Sequence, residues 1–285
     1  MDIIETNIID HKELLNRLQQ TELEILLEVH KICKKYSIPY QLFGGTLIGA
    51  IRHKGFIPWD DDIDICMKRD DYEKFISIFK KEVQNKYFLQ NYETDPEFFH
   101  SFTRIRKNNT IALQKQYENH HVHHGIFIDI FPFDNVPNNK IIRLFHYKSL
   151  SFVRLLKELK LSKYSEFRKI SIRNIVKTVF KISINGIPFR VLNKVETKLA
   201  KLYKTRETDF ATLLVETIKT NYCRCMRSNS KIKDLIEIEF ENNLFLGPKN
   251  YDDVLRKMYG DYMILPPEDE RKAHHNLIKL EFQCE

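Results

Sequence analysis

Asp60, Asp61, Asp62 and Asp64 stand close together in the stretch FGGTLIGAIRHKGFIPWDDDIDI (43–65), which opens on the pair Gly44-Gly45. Alternate side chains of an extended strand share a face. If the strand takes in all three, Asp60, Asp62 and Asp64 form a carboxylate face, with Ile63 and Ile65 on the other side. Carboxylates this close cannot all ionise without a cation between them, so the pattern calls for Mg²⁺ or Mn²⁺, or else for strongly raised pKa values. Metal is the preferred answer. Two blander readings fit less well. An exposed acidic turn has no need of flanking isoleucines, and a calcium loop starting at Asp60 requires glycine where Ile65 stands and glutamate where Asp71 stands.

The glycines suggest the second half of such a site. A Gly-Gly turn leading into a helix lets backbone N–H groups approach a phosphate, with the helix dipole facing the anion, although a bare pair is most often only a turn. A third acid is offered by Asp129, a lone carboxylate in the apolar run GIFIDIF (125–131), whose other reading is a satisfied buried acid.

The elements that must position these residues are legible from periodicity. Apolar residues at Leu14, Leu18, Ile25, Val29 and Ile32, after a D-x-x-E start at Asp10 and Glu13, predict an amphipathic helix ending near Ser37-Ile38-Pro39. Tyr40–Phe43 reads as a short strand, Thr46 as the cap of a helix through Ile51, 62–66 as a strand by its alternation, and 69–83 as a helix. Strands follow at 87–92, at 101–114 around an Asn-Asn turn, and at 125–131 before Pro132. This is an α/β (α+β) pattern, a mixed sheet flanked by helices. From Lys140 to about 205 the chain becomes basic with helical period, and the last third reads as helices and loops. The expected organisation is a catalytic core over 1–138, a basic helical insertion over 139–240 and a C-terminal segment over 241–285 that completes the site.

Composition narrows the class. With 42% hydrophobic and 12% aromatic residues the 285-residue chain can bury a real core, so it is globular. No basic n-region precedes an apolar run, and no stretch reaches the roughly 18 uncharged apolar residues of a membrane span, so a cytoplasmic protein is expected. Five cysteines with no C-x-x-C pair read as reduced thiols. The net charge of +7 points to anionic partners, and it is local. Between Lys140 and Arg190 only Glu158 and Glu166 oppose the many Lys and Arg residues. Leu144, Phe152, Leu155, Leu156 and Leu159, then Ile172, Ile175, Val176, Val179 and Phe180, recur at helical spacing. The result is helices with one apolar and one basic face, read either as core helices with a basic outer side or as a surface that docks on anionic membrane. No nucleic-acid-binding signature accompanies the charge, and clustered acids repel a phosphate backbone, so nucleic acid is not expected as a partner.

The glycine pair, the D-h-D strand and a third strand aspartate together resemble the nucleotidyltransferase superfamily of the DNA polymerase β type. The longer run GGTLIGAIRHKGFIPWDDDIDI, with FTRIRKNNT, GIFIDIFPFDNVP and YGDYMILPPEDERKAHH, resembles the LicD family of phosphocholine transferases, related to fukutin and fukutin-related protein. The interval from glycines to aspartates, longer than in polymerase-like members, favours LicD.

The resemblance implies that Asp62, Asp64 and Asp129 hold one or two Mg²⁺ or Mn²⁺ ions and are the catalytic acids. Asp129 is also a candidate acceptor of the hydroxyl proton. The donor would be CDP-choline or a related CDP-alcohol such as CDP-ribitol or CDP-glycerol. A sugar hydroxyl of a lipid-linked glycan precursor, of teichoic acid or lipopolysaccharide type, would be the acceptor, and CMP would be released at the inner face of the membrane. Gly44, Gly45 and Thr46 would meet the phosphates. Arg104 and Arg106, two apart on a strand, would face the diphosphate or else form an exposed strand face. Arg52, His53, Arg271 and His274 are weaker candidates for the same pocket, each with a surface or capping alternative. His120, His121, His123 and His124 resemble a metal tract but are read as a substrate-side loop. The competing activity is nucleotidyl transfer of an NMP to a small molecule or an RNA end.

Overall fold

A computed structural model describes residues 8–83, 85–162, 181–215, 221–273 and 275–282. Helix α1 (Ile8–Lys35) turns Leu18, Ile25, Val29 and Ile32 inward, and it ends where Ser37 adopts a left-handed φ of 51° and the Ile38 N–H donates to Cys33 O at 2.8 Å. There follow β1 (Gln41–Leu42), α2 (Gly44–Arg52), β2 (Asp64–Lys68), α3 (Arg69–Glu82), β3 (Tyr87–Gln90), β4 (Thr103–Lys107), β5 (Ile111–Gln114), β6 (Phe127–Val136) and α4 (Lys140–Leu161). The later strands are β7 (Phe210–Leu213), β8 (Arg227–Ser228), β9 (Leu235–Phe240), β10 (Asn243–Pro248) and β11 (Leu277–Glu281). The main sheet runs β1-β2-β6-β4-β3, with β2 and β6 parallel and the remaining neighbours antiparallel. Helices α1 and α3 pack on it, giving the mixed α/β class read from the sequence.

Several elements depart from their expected form. β2 begins only at Asp64, so Asp60–Ile63 approach it as irregular chain. There the Asp60 N–H donates to Ile57 O at 2.9 Å, and both Asp60 and Asp61 end up buried. β6 runs through Pro132 instead of stopping before it. Asp129 N–H points towards β2, donating to Ile63 O at 2.8 Å, so by two-residue alternation the missing N–H of Pro132 faces the opposite side. On that side pairing with β4 ends at Ile130 and pairing with β7 starts at Phe133, so proline costs no ladder bond.

The C-terminal third is not only helix and loop. β9 and β10 form a hairpin whose turn places Glu241 and Asn242 at φ 49° and 56°, as a two-residue turn between twisted strands requires. β11 crosses back to pair with β5. Within 139–240, β7 and β8 extend the main sheet from the edge of β6, so this stretch is not purely a helical insertion.

Helix α4 has an unexpected orientation. Asn139 caps it by accepting from the Ile141 and Ile142 N–H groups at 2.9 and 3.1 Å. Its inward face carries Arg143, His146, Leu150, Val153 and Lys157, whereas Ile141, Leu144, Phe145, Phe152 and Leu155 are exposed. The buried polar groups are satisfied across the interface with the helix Phe189–Ala200. Lys157 Nζ donates to Glu196 Oε2 at 2.7 Å and to Phe99 O at 2.9 Å, and Arg154 Nε donates to Glu196 Oε1 at 2.8 Å. The reading of a core helix with a basic outer side therefore does not hold for α4. Positions 172, 175, 176, 179 and 180 lie outside the described residues.

Candidate active site

Parallel pairing of β2 with β6 sets Asp64 directly beside Asp129, their side chains on one face of the sheet. Antiparallel pairing of β6 with β4 sets Arg104 beside Asp129 on the other side. Arg104 donates from Nε to Asp129 Oδ1 at 2.8 Å and from a terminal nitrogen to Oδ2 at 3.2 Å, and its remaining arm reaches Gln114 Oε1 at 2.6 Å. Arg106 donates to Gln90 Oε1 and Gly125 O, both at 2.5 Å. Both arginines are almost completely buried, stacked on the Phe127 ring at 4.0 and 4.6 Å. Neither forms an exposed strand face. Arg104 aims one acid of the cluster, and Arg106 braces the strand behind it.

The start of α2 closes the other side. Gly44 sits at φ 57°, and a Cβ there would stand 2.7 Å from Asp64 Oδ2; a Cβ on Gly45 would stand 2.6 Å from Asp60 Oδ2. The space cleared by the glycines thus holds two carboxylates, at a helix end whose dipole favours negative charge. Thr46 does not cap α2, which starts two residues earlier. Its hydroxyl accepts from the Asp64 N–H at 2.8 Å and fixes the first residue of β2 against the helix.

Two further groups, which sequence reasoning missed, complete the cluster. Glu22 lies on the inward stripe of α1, midway between Leu18 and Ile25, at 1% exposure with its Oε2 atom unpartnered. An acid interrupting an apolar stripe was the available signal. His275 is delivered by the β5–β11 pairing, which also places the Asn276 carbonyl on the Lys115 N–H at 3.0 Å. Its N–H donates to Asp61 Oδ2 at 3.0 Å, and its ring Nδ1 lies 3.5 Å from Asp61 and 3.7 Å from Asp62. Among the described residues the group whose metal-ligating atoms converge, within 4.8 Å, is Asp61, Asp62 and His275. Asp62, Asp64 and Asp129 share the cleft without converging as tightly, because Arg104 engages Asp129 and the glycine pair accommodates Asp64.

The electrostatics follow from this crowding. Burial, then Asp62 and Asp61, push Asp60 up to about 8; burial, then Asp62 and Asp129, raise Asp64; burial, then Asp62, Asp61 and Asp60, raise Glu22. Burial pulls the His275 imidazole down, but Asp61 and Asp62 outweigh it and the net shift is upward. These six carboxylates thus face few positive groups, and an oxygen-rich donor set with one unpartnered buried oxygen fits a hard divalent cation.

The remaining sequence candidates make other contacts. Arg52 and His53 are at the far end of α2 from the glycines; Arg52 donates to Tyr262 O at 2.6 Å and to His53 Nε2 at 2.9 Å, holding the 262–264 segment. Arg271 lies over the Trp59 ring at 5.6 Å and donates to Pro266 O. His274 lies outside the described residues. The histidine tract disperses: His123 stacks on Phe88 at 4.8 Å, with burial and then Arg106 lowering it to about 4, while His120 approaches Glu97 at 3.6 Å.

A pocket of about 620 Å³ opens beside this cluster, lined by Gln114, Gln116, Asn119, His120, Leu161 and His275 among others. Over 276 residues the chain is 34% identical to a lipopolysaccharide cholinephosphotransferase LicD of Haemophilus influenzae, a match covering 93% of this chain and 97% of that one. The chain belongs to the LicD family. Residues 37–168 match the family model described as LicD/FKTN/FKRP, nucleotidyltransferase domain. Shorter matches reach uncharacterised proteins of Rickettsia typhi, 35% identical over 68 residues (24% of this chain, 22% of that one), and Rickettsia prowazekii, 42% identical over 48 residues (17% and 18%). As a LicD-type chain it is a transferase, and its 37–168 match includes the glycines, the aspartate run, Arg104 and Asp129 but not Glu22 or His275.

Proposed function

We propose that this enzyme transfers phosphocholine from CDP-choline to a hydroxyl of a surface glycan, of lipopolysaccharide or teichoic acid type, with Mg²⁺ or Mn²⁺ held by Asp62 and Asp64 and flanked by Asp129, Asp61 and His275. The observation that carries the reading is the crowding of Glu22, Asp60, Asp61, Asp62, Asp64 and Asp129 at one end of the β2–β6 pair, in a chain of this family. In the reaction the acceptor oxygen would form a bond to the distal phosphorus, the bond from that phosphorus to the oxygen of CMP would break, and the acceptor's proton would pass to a carboxylate of this cluster. A bound divalent cation would supply charge neutralisation for the phosphate oxygens.

The chain's own residues supply the frame. Arg104 orients Asp129 through both carboxylate oxygens, Thr46 and the glycine pair position Asp64 and Asp60, and His275 bridges the acids and the adjoining pocket.

The test is isothermal titration of CDP-choline, CDP-ribitol, CDP-glycerol and CTP into wild type and an Asp62→Asn/Asp64→Asn variant, each with Mg²⁺ and with EDTA. Metal-dependent binding of CDP-choline that the variant loses is the expected result. Preference for another CDP-alcohol would move the donor assignment, binding of CTP alone would favour nucleotidyl transfer, and metal-independent binding would remove the cation from the reading.

A further inference from the structure

The outward face of α4 carries an aligned set of exposed apolar side chains. Ile141, Phe145, Lys148, Phe152 and Leu155 fall on one stripe at three-and-four spacing, and they are exposed, Phe145 to 71%, Ile141 to 66% and Phe152 to 55%. From Ile141 to Leu155 the stripe runs about 21 Å along the helix. The packed neighbour Phe189–Ala200 adds exposed Val191 and Val195 one turn apart, and Ile182 precedes it at 62% exposure. Isolated exposed apolar side chains are ordinary on a protein surface; an aligned set of this length is not.

Cations surround the stripe. Lys140 and Lys148 on α4, with Arg190, Lys194 and Lys198 on its neighbour, are all exposed, and Glu158 is the one exposed acid among the described residues of these two helices. Glu196, the other acid there, is buried against Lys157 and Arg154. A second copy of the chain seated on this face in a two-fold contact would bring its cations against the same cations, which repel. A lipid bilayer with anionic headgroups matches both properties: acyl chains for the aromatic and aliphatic stripe, headgroup phosphates for the rim. No helix among the described residues is long and apolar enough to cross a membrane, so the contact is one of lying in the interface.

We infer that α4 and the helix Phe189–Ala200 together form a docking surface for an anionic lipid bilayer, with Phe145 and Phe152 inserting between headgroups and Lys148 and Lys194 contacting phosphates. The C-terminal end of α4 lines the pocket beside the acids through Leu161, the pocket that also contains His275. The surface is independent of the donor chemistry and stands or falls by its own experiment.

That experiment is flotation of the full chain with vesicles of phosphatidylethanolamine and phosphatidylglycerol, and with vesicles of phosphatidylcholine alone, at low and high salt. Wild type should float with the anionic vesicles at low salt only. Phe145→Ser/Phe152→Ser and Lys148→Glu/Lys194→Glu should each weaken partitioning by about tenfold or more, equivalent to about 1.4 kcal/mol, with unchanged thermal melts because all four side chains are exposed. Wild type that fails to float, a serine variant that floats as wild type does, or equal binding to neutral vesicles would overturn the inference. So would a dimer in sedimentation velocity that the serine substitutions abolish, which would assign the face to a second copy.

Discussion

Asp60 gives the sharpest quantitative test of the acid cluster. Its carboxyl is pushed from 3.8 to about 8 in the folded chain, first by burial at 4% exposure and then by Asp62 and Asp61. The folded state therefore holds a proton that the unfolded state releases above pH 4, so stability is fully present at low pH and falls as pH rises towards 8. Between pH 5 and pH 8, in the absence of a divalent cation, Asp60 and the acids coupled to it together remove on the order of 4 kcal/mol, from about 1.4 kcal/mol per pKa unit. For a chain of this size that corresponds to a drop in Tm on the order of 10 °C. Scanning calorimetry in EDTA across that range should show the drop in wild type, a clearly flatter profile in Asp60→Asn, and recovery of wild type at pH 8 on adding Mg²⁺. Asp64 and Glu22, raised for the same reasons, keep the variant from being completely flat. A wild-type Tm that does not change with pH in EDTA, or one that Mg²⁺ leaves unmoved at pH 8, would refute the claim that these carboxylates are crowded around a cation site.

Two further substitutions probe the frame. Gly45→Ala places a Cβ 2.6 Å from Asp60 Oδ2 and must turn that carboxylate away; Mg²⁺-dependent release of CMP from CDP-choline should fall by about tenfold or more while the urea midpoint moves little. Arg104→Ala leaves Asp129 buried without its bidentate partner, and urea unfolding should show a loss of about 3–5 kcal/mol, with Arg104→Lys recovering part of it.

Much of the site could be read locally. Four aspartates beside an isoleucine alternation and a glycine pair at a helix start are short-range patterns, and they identified the strand, the helix and the acids between them. Direction was harder to read. The two-residue spacing of Arg104 and Arg106 puts them on one face, but only the neighbours β6 and β3 decide that this face is interior and that the donors go to Asp129, Gln114 and Gln90. Likewise, the period of α4 separates its two faces without saying which one is buried. That was decided by Glu196, some forty residues away, which pairs with Lys157 and Arg154.

The sequence by itself determined which acids and glycines are neighbours at the centre, because carboxylate crowding, glycine-lined helix starts and strand alternation depend on neighbours along the chain. The tertiary structure alone decided which distant groups join that centre. Glu22 arrives on α1, His275 on a strand that must cross back to β5, and Asp61 turns inward where the chain bends before β2. Packing also turned Arg52 towards the Tyr262 carbonyl at the end of α2. The physical reason is that periodicity encodes which side chains share a face, whereas long-range pairing and the burial of compensated charge determine what that face meets.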